Sequence, residues 1–327
     1  MKVLFVSSGN SKQGISPIVK SQGDSLVKKN VNLDYFLIKG KGIIGYLKNL
    51  PTLRRKIKNG NYHIVHAHYG DSIIITAFSK TKKVKFIASF MGSDIYQNKK
   101  KIKNYSNFIF RNIFSILYKI IAKHIADEVI VKSHKMESEF WPSTNISVLP
   151  NGVNLDIFKP NNSQSPKTIN GIKNILFVGD KTRPEKNYGL VDQSVSLLGK
   201  KFNIKIINPI NISQKKLNTV YNKAHVLVLS SFYEGSPNVI KEAMACNLPI
   251  VSTDVGDVKN IIQNVNGCYI SKANKEDFSM LINRALEFNS RTKGREKIIT
   301  SGLDSETIAH KFLKKYKSIV YNDRKHR

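Results

Sequence analysis

The chain is poor in cysteine, with only Cys246 and Cys268 among its 327 residues. Two cysteines are too few for a disulfide framework, and they offer no metal-ligand spacing, so we expect a reducing cytosol. We also expect no secretory signal at the start, because Met1 and Lys2 lead directly into the short apolar run at residues 3–6. No apolar run is long enough to span a bilayer.

Acidic residues are scarce as well. Their number is 23 against 53 lysines and arginines, which gives a formal net charge of +30. Such a field attracts polyanions: nucleic acid, anionic lipid headgroups or substrates that carry diphosphates. Lysines spread along a chain are also typical of an ordinary soluble surface. A nucleic-acid-binding protein is the alternative from another class, but no recognition module concentrates the basic residues, so we expect no specific nucleic acid.

Two motifs that often accompany phosphate chemistry are missing. A polar, glycine-bearing turn at residues 9–14 follows the first predicted strand, where a Rossmann unit presents its backbone to phosphate, but GxGxxG is absent. The chain also has no Asp-x-Asp cluster to hold a divalent ion for a diphosphate. We therefore expect an activity without a metal ion.

The chain does contain a regular alternation of short apolar runs and helical patterns, which predicts an α/β protein with parallel sheets. Its length suits two domains. Strands are predicted at residues 2–8, 33–38, 63–68, 85–90, 128–132 and 146–149, and then at 174–178, 202–208, 226–229 and 249–253. Helices are predicted near residues 17–30, 44–58, 105–125, 214–224, 238–246, 275–288 and 305–322.

Residues 230–254 form the most informative stretch, SSFYEGSPNVIKEAMACNLPIVSTD. Ser236 is a favoured N-cap, and Pro237 suits the first helical position. Free N–H groups at a helix start favour a phosphate, and Gly235 lets a ligand approach the backbone.

Two carboxylates flank this predicted anion site. Glu234 precedes the helix and Glu242 lies within it. Carboxylates accept hydrogen bonds from hydroxyls, so we interpret the pair as ligands for a sugar and a ribose on either side of a phosphate. The competing interpretation is a loop charge and a solvated helix residue.

The Glu234 to Glu242 pattern, with seven residues between and AMACNLPIVSTDVG after it, resembles the donor-site signature of the retaining glycosyltransferases of family four, or group 1. The likeness extends over most of the chain, including an interdomain PNGV at residues 150–153. It implies the GT-B fold, with two Rossmann-like domains facing across a cleft and a C-terminal helix that returns to the first. The implied divisions are an acceptor-binding domain at 1–158, a linker at 159–173, a nucleotide-sugar-binding domain at 174–303 and the returning helix at 304–327.

The resemblance also implies roles for single residues. Glu242 would hold the ribose, Glu234 the hydroxyls of the donor sugar, and the start of the helix the sugar and diphosphate. The implied donor-binding set is Gly14, Gly235, Ser236, Pro237, Asn238, Val239 and Glu242. Family members carry an arginine directly after a glycine that here precedes Asp180, so the two cationic roles are assigned to Arg183 and Lys186. These cations would stabilise the departing diphosphate.

Candidates in the first domain follow its strands. His66 and His68, in HIVHAHYG, share one face at the carboxyl end of a strand, where they either bind substrate or phosphate or simply pack. Asp94 follows the next strand and would accept a proton or hydrogen bond from an acceptor hydroxyl. Many family members have a histidine where this chain has Met91, so either His66 or His68 would take its place or the acceptor would be bound differently. The implied catalytic set is Glu234, Arg183, Lys186, Asp94 and His66, with His68 and Asp94 binding the acceptor.

Residues 105–125 combine aromatic and basic side chains in a helical pattern, with Arg111, Lys119 and Lys123 among them. The apolar members are Phe108, Phe110, Ile113, Phe114, Leu117, Ile120 and Ile121. Such a helix either lies in a membrane interface or packs in a core with snorkelling lysines. The preceding KKKIK, at residues 99–103, favours the membrane interpretation, since each lysine near an anionic membrane surface contributes about 1 kcal/mol to binding.

Together these features predict a hexosyltransferase-like enzyme. It would move a sugar from a nucleotide sugar to a hydroxyl acceptor, lipid-linked in the case of cell-surface polysaccharide or glycolipid assembly. The nucleotide sugar is the donor substrate, and no cofactor is expected. The predicted location is the cytoplasm, with peripheral attachment to the inner face of the cell membrane. A nucleotide-sugar epimerase of the same fold is the alternative.

Overall fold

A computed structural model describes residues 1–11, 14–40, 42–96, 105–142, 144–161, 170–199 and 201–322. The chain divides into two compact units. The first takes in Met1–Asn151 and the chain from Ser305 onward, and the second is Gly152–Asp304. Each unit is built on one parallel sheet. The α/β fold class is therefore confirmed.

The first unit alternates strands and helices as the sequence predicts. Its strands are β1 (Lys2–Ser8), β2 (Asn32–Ile38), β3 (Ile64–His68), β4 (Lys85–Ser89), β5 (Glu128–Val131) and β6 (Ile146–Val148). Its helices before residue 151 are α1 (Pro17–Val27), α2 (Gly42–Leu47), α3 (Leu50–Asn59), α4 (Gly70–Ser79), α5 (Tyr105–Ile125) and α6 (His134–Glu137). The sheet order is β2-β1-β3-β4-β5-β6. The order reverses beside β1, so ligands are expected at the carboxyl ends of β1 and β3.

The second unit repeats the scheme. Its strands are β7 (Ile172–Leu176), β8 (Asn203–Ile207), β9 (Val226–Leu229), β10 (Ile250–Thr253) and β11 (Cys268–Ser271). Its helices are α7 (Tyr188–Leu198), α8 (Gln214–Lys223), α9 (Asn238–Ala245), α10 (Val258–Ile262), α11 (Lys275–Glu287) and α12 (Gly294–Thr300). The sheet order β11-β10-β9-β7-β8 reverses between β7 and β9. That pair is the corresponding switch point.

Side-chain alternation along the strands builds two cores in each unit, one on each face of the sheet. In β1, Leu4 and Val6 join one core whereas Val3 and Phe5 join the other. Strands buried on both faces are continuously apolar, which explains the uninterrupted run at the start of the sequence.

The last helix, α13 (Ser305–Asn322), belongs to the first unit. Its Phe312 and Tyr316 are fully buried in the core that also holds Val3 and Phe5. Lys315 Nζ lies 3.2 Å from Glu128 Oε1, a carboxylate that is itself buried. The prediction that the C-terminal helix returns to the first domain is confirmed.

The unit boundary lies earlier than the sequence suggests. The first unit ends at Asn151 rather than at residue 158. The reason is that the Val153 N–H donates to Leu303 O at 3.0 Å, while Val153 and Phe158 pack into the second core. Strand β7 begins at Ile172, inside the predicted linker. Residues 162–169 of that linker and the lysine run at 97–103 lie outside the described residues.

The segment predicted as one helix at 44–58 is two, α2 and α3. Pro51 lies in the first turn of α3, a position that tolerates proline, whereas the interior of a longer helix does not. Asn49 occupies the break, and its side chain donates to Lys39 O and Gly45 O, both at 2.8 Å. The predicted ranges do not include β11, a short edge strand beside β10, or the helices α4, α6, α7, α10 and α12.

Candidate active site

The switch point of the second unit brings two loops together. Strands β7 and β9 are paired in register, so their carboxyl ends open at one edge of the sheet. The loop after β7 carries Lys186, and its carbonyl oxygen accepts a hydrogen bond from Ser230 Oγ at 2.8 Å. The Phe232 N–H donates to Glu185 O at 2.9 Å. These bonds hold the loop after β9 against the loop after β7.

An ion pair joins the two loops at this edge. Lys186 Nζ lies 2.6 Å from Glu234 Oε1, and Ser231 Oγ donates to the same oxygen at 2.8 Å. Both charged side chains keep some contact with solvent, at 17% and 18% exposure. The structure thus brings together two residues of the implied catalytic set.

Arg183 stands apart from this pair. Its guanidinium binds the carboxylate of Glu185 in its own loop, with Nε 2.6 Å from Oε1, and its side chain is half exposed. Residues Pro184–Lys186 form a single 3-10 turn that ends at Asn187 in the left-handed region, at φ +49°. The two predicted cations therefore occupy different environments, one at the Glu234 carboxylate and one at the outer side of the loop.

Helix α9 begins at Asn238, with Pro237 in the N-cap position. The prediction that Ser236 caps the helix is wrong, because its hydroxyl donates to Asp257 Oδ2 at 2.7 Å and accepts from Lys241 Nζ at 2.9 Å. No side chain of the described residues caps α9. The Ile240 N–H donates to Pro237 O at 3.3 Å, and the two earlier amides, of Asn238 and Val239, are of the kind that binds solvent or an anion at a helix start.

Glu242 lies one turn inside α9 and is partly buried. Tyr221 of α8, a fully buried residue, donates its hydroxyl to Glu242 Oε2 at 2.8 Å. Burial raises the pKa of the Glu242 carboxyl to about 7, against the opposing effects of the Tyr221 hydrogen bond and the Lys241 charge. This carboxyl therefore changes its protonation state near neutral pH.

The turn after β10 packs directly on the loop that carries Glu234. Gly256 has φ +55°, and a Cβ there would lie 2.5 Å from Gly235 O and 3.0 Å from Glu234 O. A glycine is required both for the backbone conformation and for the close approach. Asp257 follows in the N-cap position of α10, but its side chain binds Ser236 instead of capping the helix.

Sequence reasoning missed Tyr221 and Lys241. The tyrosine carries no signal, because a buried aromatic residue on an amphipathic helix is ordinarily core. Lysine is almost never fully buried without a partner, so Lys241 in NVIKEAMAC gave no reason to expect a buried charge. Nowhere in the described part of the chain do three or more His, Cys, Asp or Glu residues gather in a way that could hold a metal ion.

In the first unit, Gly14 lies in the turn after β1. Its φ is +76°, its N–H donates to Ser11 O at 2.9 Å, and Ser11 Oγ donates to Gly14 O at 2.7 Å. A Cβ at Gly14 would meet no atom of the described residues within 4 Å. Glycine is therefore needed for the conformation, and the described residues leave the space beside it open.

The two histidines of β3 are core residues. Both have no exposed surface, their rings stack with centroids 4.2 Å apart, and His66 Nδ1 lies 2.6 Å from Tyr316 Oη. Burial lowers the pKa of both imidazoles, that of His68 to about 3, so both are neutral. Of the two interpretations of His66 and His68, this burial favours packing, and their substrate-binding role stays a prediction. Helix α13 covers the face on which they lie, through Phe312 and Tyr316.

Asp94 organises its own turn. Its Oδ1 accepts from the N–H groups of Gly92 at 2.8 Å and Met91 at 3.0 Å, and the residue is only 8% exposed. Burial raises the pKa of the Asp94 carboxyl to about 6 although the backbone donors lower it. In this structure the Asp94 carboxylate accepts hydrogen bonds from the backbone of its own turn. The sequence predicts a proton or hydrogen bond from the hydroxyl of the acceptor substrate at the same carboxylate.

Helix α5 presents apolar residues on two faces. Ile121 and Ala122 are buried in the first unit. Four large side chains on the outer face are exposed: Ile113, Ile116, Leu117 and Ile120. Lys123 Nζ lies 5.2 Å from the ring centroid of Trp141, another exposed residue. Packing in the core therefore accounts for one face of α5 and not for these exposed side chains. The side chains of residues 105–111, which include Phe108, Phe110 and Arg111, are not among those that the structure describes. Within the described residues, no helix is long and apolar enough to cross a membrane.

Solved structures with the same architecture are GT-B glycosyltransferases. Sucrose-phosphate synthase from Thermosynechococcus elongatus superposes with a TM-score of 0.75 at 16% identity, over 97% of this chain and 98% of that one. Anabaena HepE, in complex with UDP and glucose, superposes with a TM-score of 0.70 at 13% identity, over 97% of this chain and all of that one. These likenesses establish the GT-B fold.

Sequence comparison narrows the class. The family model for glycosyl transferases group 1 matches residues 165–287, and the model for glycosyl transferase 4-like domains matches residues 13–132. The two matches span most of the chain, which belongs to the group 1 glycosyltransferases. A probable sucrose-phosphate synthase of Thermosipho melanesiensis is 31% identical in an alignment 267 positions long that covers 67% of this chain. The chain spans 61% of the length of that relative.

Proposed function

We propose that this protein is a metal-independent, retaining glycosyltransferase that moves a sugar from a nucleoside diphosphate sugar to a hydroxyl acceptor. The observation that supports it most is the Lys186–Glu234 ion pair beside the uncapped start of α9. It lies at the switch point of a sheet, where α/β proteins bind ligands. Family membership and the UDP bound by HepE favour a nucleotide sugar as the donor.

The donor would bind along α9. Its diphosphate would accept hydrogen bonds from the first amides of the helix, with Gly235 leaving room for close approach. Glu242 would accept hydrogen bonds from the ribose, oriented by the Tyr221 hydroxyl. Glu234, already bound to Lys186 and Ser231, would accept hydrogen bonds from the sugar hydroxyls.

Transfer builds negative charge on the departing diphosphate, so the main task of the protein is electrostatic. Lys186, Arg183 and the α9 amides would stabilise that charge in place of a metal ion. The bond from the anomeric carbon to the diphosphate oxygen breaks while the acceptor oxygen bonds to the same face. The acceptor proton passes to the leaving phosphate oxygen. Glu234 acts as a hydrogen-bond acceptor in this scheme, since its carboxylate is held by Lys186.

For the acceptor we propose a lipid-linked glycan of cell-surface polysaccharide or glycolipid assembly. The protein would work in the cytoplasm, attached peripherally to the inner leaflet. Support comes from the exposed apolar side chains of α5 next to Lys119 and Lys123, and from the net charge of +30. Apolar side chains with flanking lysines bind anionic interfaces. In the first unit the open turn at Gly14 would meet substrate.

A sucrose-phosphate synthase activity is the second candidate. The names of two similar proteins favour it. A soluble acceptor of that kind needs no membrane, so activity without vesicles or detergent distinguishes the two candidates.

Release of free nucleoside diphosphate tests the proposal. We expect release from one of a panel of nucleotide sugars only when an acceptor is present, and undiminished release with excess chelator. An epimerase would convert the nucleotide sugar without acceptor and without release. Donors can be ranked first by thermal unfolding, because a ligand at about 100 times its Kd stabilises the folded state by about 2.7 kcal/mol. The proposal fails if no nucleotide sugar of the panel is consumed.

A further inference from the structure

Lys241 is a charged residue with no exposed surface, in the second turn of α9. Burying an ammonium is costly unless it is paired and hydrogen-bonded. Its Nζ donates to Ser236 Oγ at 2.9 Å, and it is attracted by the carboxylates of Asp257 and Glu242. A buried ammonium in the helix that starts at the proposed donor site therefore suggests a function for Lys241.

Ser236 links this lysine to the neighbouring turn. Its hydroxyl accepts from Lys241 and donates to Asp257 Oδ2 at 2.7 Å. Both hydrogen-bonding directions of the hydroxyl are therefore used inside the protein. Asp257 in turn follows Gly256, whose backbone packs against Gly235 O. Lys241, Ser236 and Asp257 thus join α9 to the turn after β10.

The position of Asp257 creates an electrostatic problem. Its carboxylate contacts the residue next to the start of α9, where the proposed function places a diphosphate. Like charges at short range repel, and the repulsion grows where water is excluded. A cation on the far side of Ser236 offsets it. Lys241 is the lysine that contacts Ser236 from within the helix.

We propose that Lys241 is a positioning residue for the donor: it neutralises Asp257 and fixes Ser236, so that the start of α9 accepts a diphosphate. The inference rests on the proposed function, since it assumes that a nucleoside diphosphate binds there. Lys241 itself does not touch the substrate, because Ser236 separates them.

Three variants test the pair: Lys241→Met, Asp257→Asn and the double variant. Lys259→Met is the matched control, because it removes an exposed lysine of α10 close to the same turn. For each protein, calorimetry measures the Kd of the nucleoside diphosphate that stabilises the unaltered protein most among UDP, ADP and GDP. The Kd of the corresponding nucleoside is measured in parallel, and thermal unfolding checks that each variant is folded.

We expect Lys241→Met to weaken the diphosphate about tenfold and the nucleoside less than about twofold. Asp257→Asn should bind the diphosphate at least about threefold more tightly than the unaltered protein, because the lysine charge is then uncompensated. The double variant should return to within about threefold of the unaltered protein, and Lys259→Met should differ from it less than about twofold. A purely structural pair would weaken binding in both single variants and would affect the nucleoside equally.

Several results would overturn the inference. One is unchanged diphosphate affinity in Lys241→Met, and another is a double variant as weak as that single one. If Lys241→Met does not fold, Asp257→Asn decides, and equal or weaker binding there contradicts the proposal. If the unaltered protein binds none of the three diphosphates, the proposed function itself fails, which is visible before any variant is made.

Discussion

The two units place chemically similar residues at equivalent edges of similar sheets, yet with opposite outcomes. At the switch point of the second unit, Lys186 and Glu234 form an ion pair that still meets solvent. At that of the first unit, His66 and His68 are sealed in the core beneath α13. A polar residue at the carboxyl end of a strand is therefore a site only where no other element covers it.

The difference follows from where each side chain originates. Lys186 and Glu234 come from loops that follow β7 and β9, beyond the ends of these strands. His66 and His68 belong to β3 itself, and their alternation directs both rings to one face of the sheet. The core on that face includes α13, which comes from the far end of the chain.

Substitution of Lys186 is the most direct test of the role of the ion pair in the second unit. We expect Lys186→Ala to lower kcat/KM by about 100-fold to 1,000-fold, because a preorganised donor to developing charge contributes about 2.7–4 kcal/mol. Glu234→Ala should give a loss of similar order through the sugar hydroxyls. Lys181→Ala, an exposed lysine of the same loop, is the control and should stay within about twofold. Near-normal turnover in both Lys186→Ala and Glu234→Ala would show that this ion pair has no role in catalysis.

The other side of the comparison is tested at His66. We expect His66→Ala to lower the free energy of unfolding by about 2 kcal/mol, because it empties core volume and leaves Tyr316 without its 2.6 Å partner. The kcat/KM per folded molecule should not change. His310→Ala, on the exposed side of α13, should alter the unfolding free energy by less than about 0.5 kcal/mol. Lost turnover in a fully folded His66 variant would show that His66 has a role in catalysis or substrate binding.

The sequence predicts most strands within a few residues because buried parallel strands are continuously apolar. It also places Glu234 and Gly235 between a strand and a helix, since strand ends and turn residues are local signals, whereas the choice of Lys186 depends on the family resemblance. Coverage of β3 by α13 is not local, and the same pattern fits a site or a core. Lys241 was missed for a related reason: whether a helical lysine faces solvent or a buried carboxylate is decided by tertiary packing.

Helix α5 extends the comparison to the surface of the first unit. We expect Ile116→Glu to weaken binding to anionic vesicles about tenfold at low salt, because it replaces an apolar side chain on the exposed face with a carboxylate. Met280→Glu on α11, an exposed apolar residue of the second unit, is the control and should bind as the unaltered protein does. Vesicle sedimentation measures both. Equal partitioning of the unaltered protein onto neutral and anionic vesicles would contradict the membrane proposal.

Within the second unit, Arg183 and Lys186 are expected to contribute unequally to catalysis. It is half exposed and already bound to Glu185, whereas Lys186 faces Glu234. Solvent screening reduces the effect of such a charge, so we expect Arg183→Ala to lower kcat/KM only about fivefold to tenfold. Steady-state kinetics beside Lys186→Ala measures the ratio. A larger loss for Arg183 than for Lys186 would show that the arginine turns towards the diphosphate when the donor binds.

The smallest expected effect is a pH dependence from Glu242. Because burial raises its pKa from an ordinary 4.5 to about 7, the folded state holds this proton more tightly than the unfolded state. Its contribution to stability is therefore present below pH 4.5 and is lost as the pH rises to about 7. Donor binding should have the opposite sign, since an ionised carboxylate is the stronger acceptor for ribose hydroxyls. The donor KM should fall a few-fold between pH 6 and 8, and Glu242→Gln, which cannot ionise, should flatten that profile. A KM that rises over this range in the unaltered protein would mean that the ribose is held by another group.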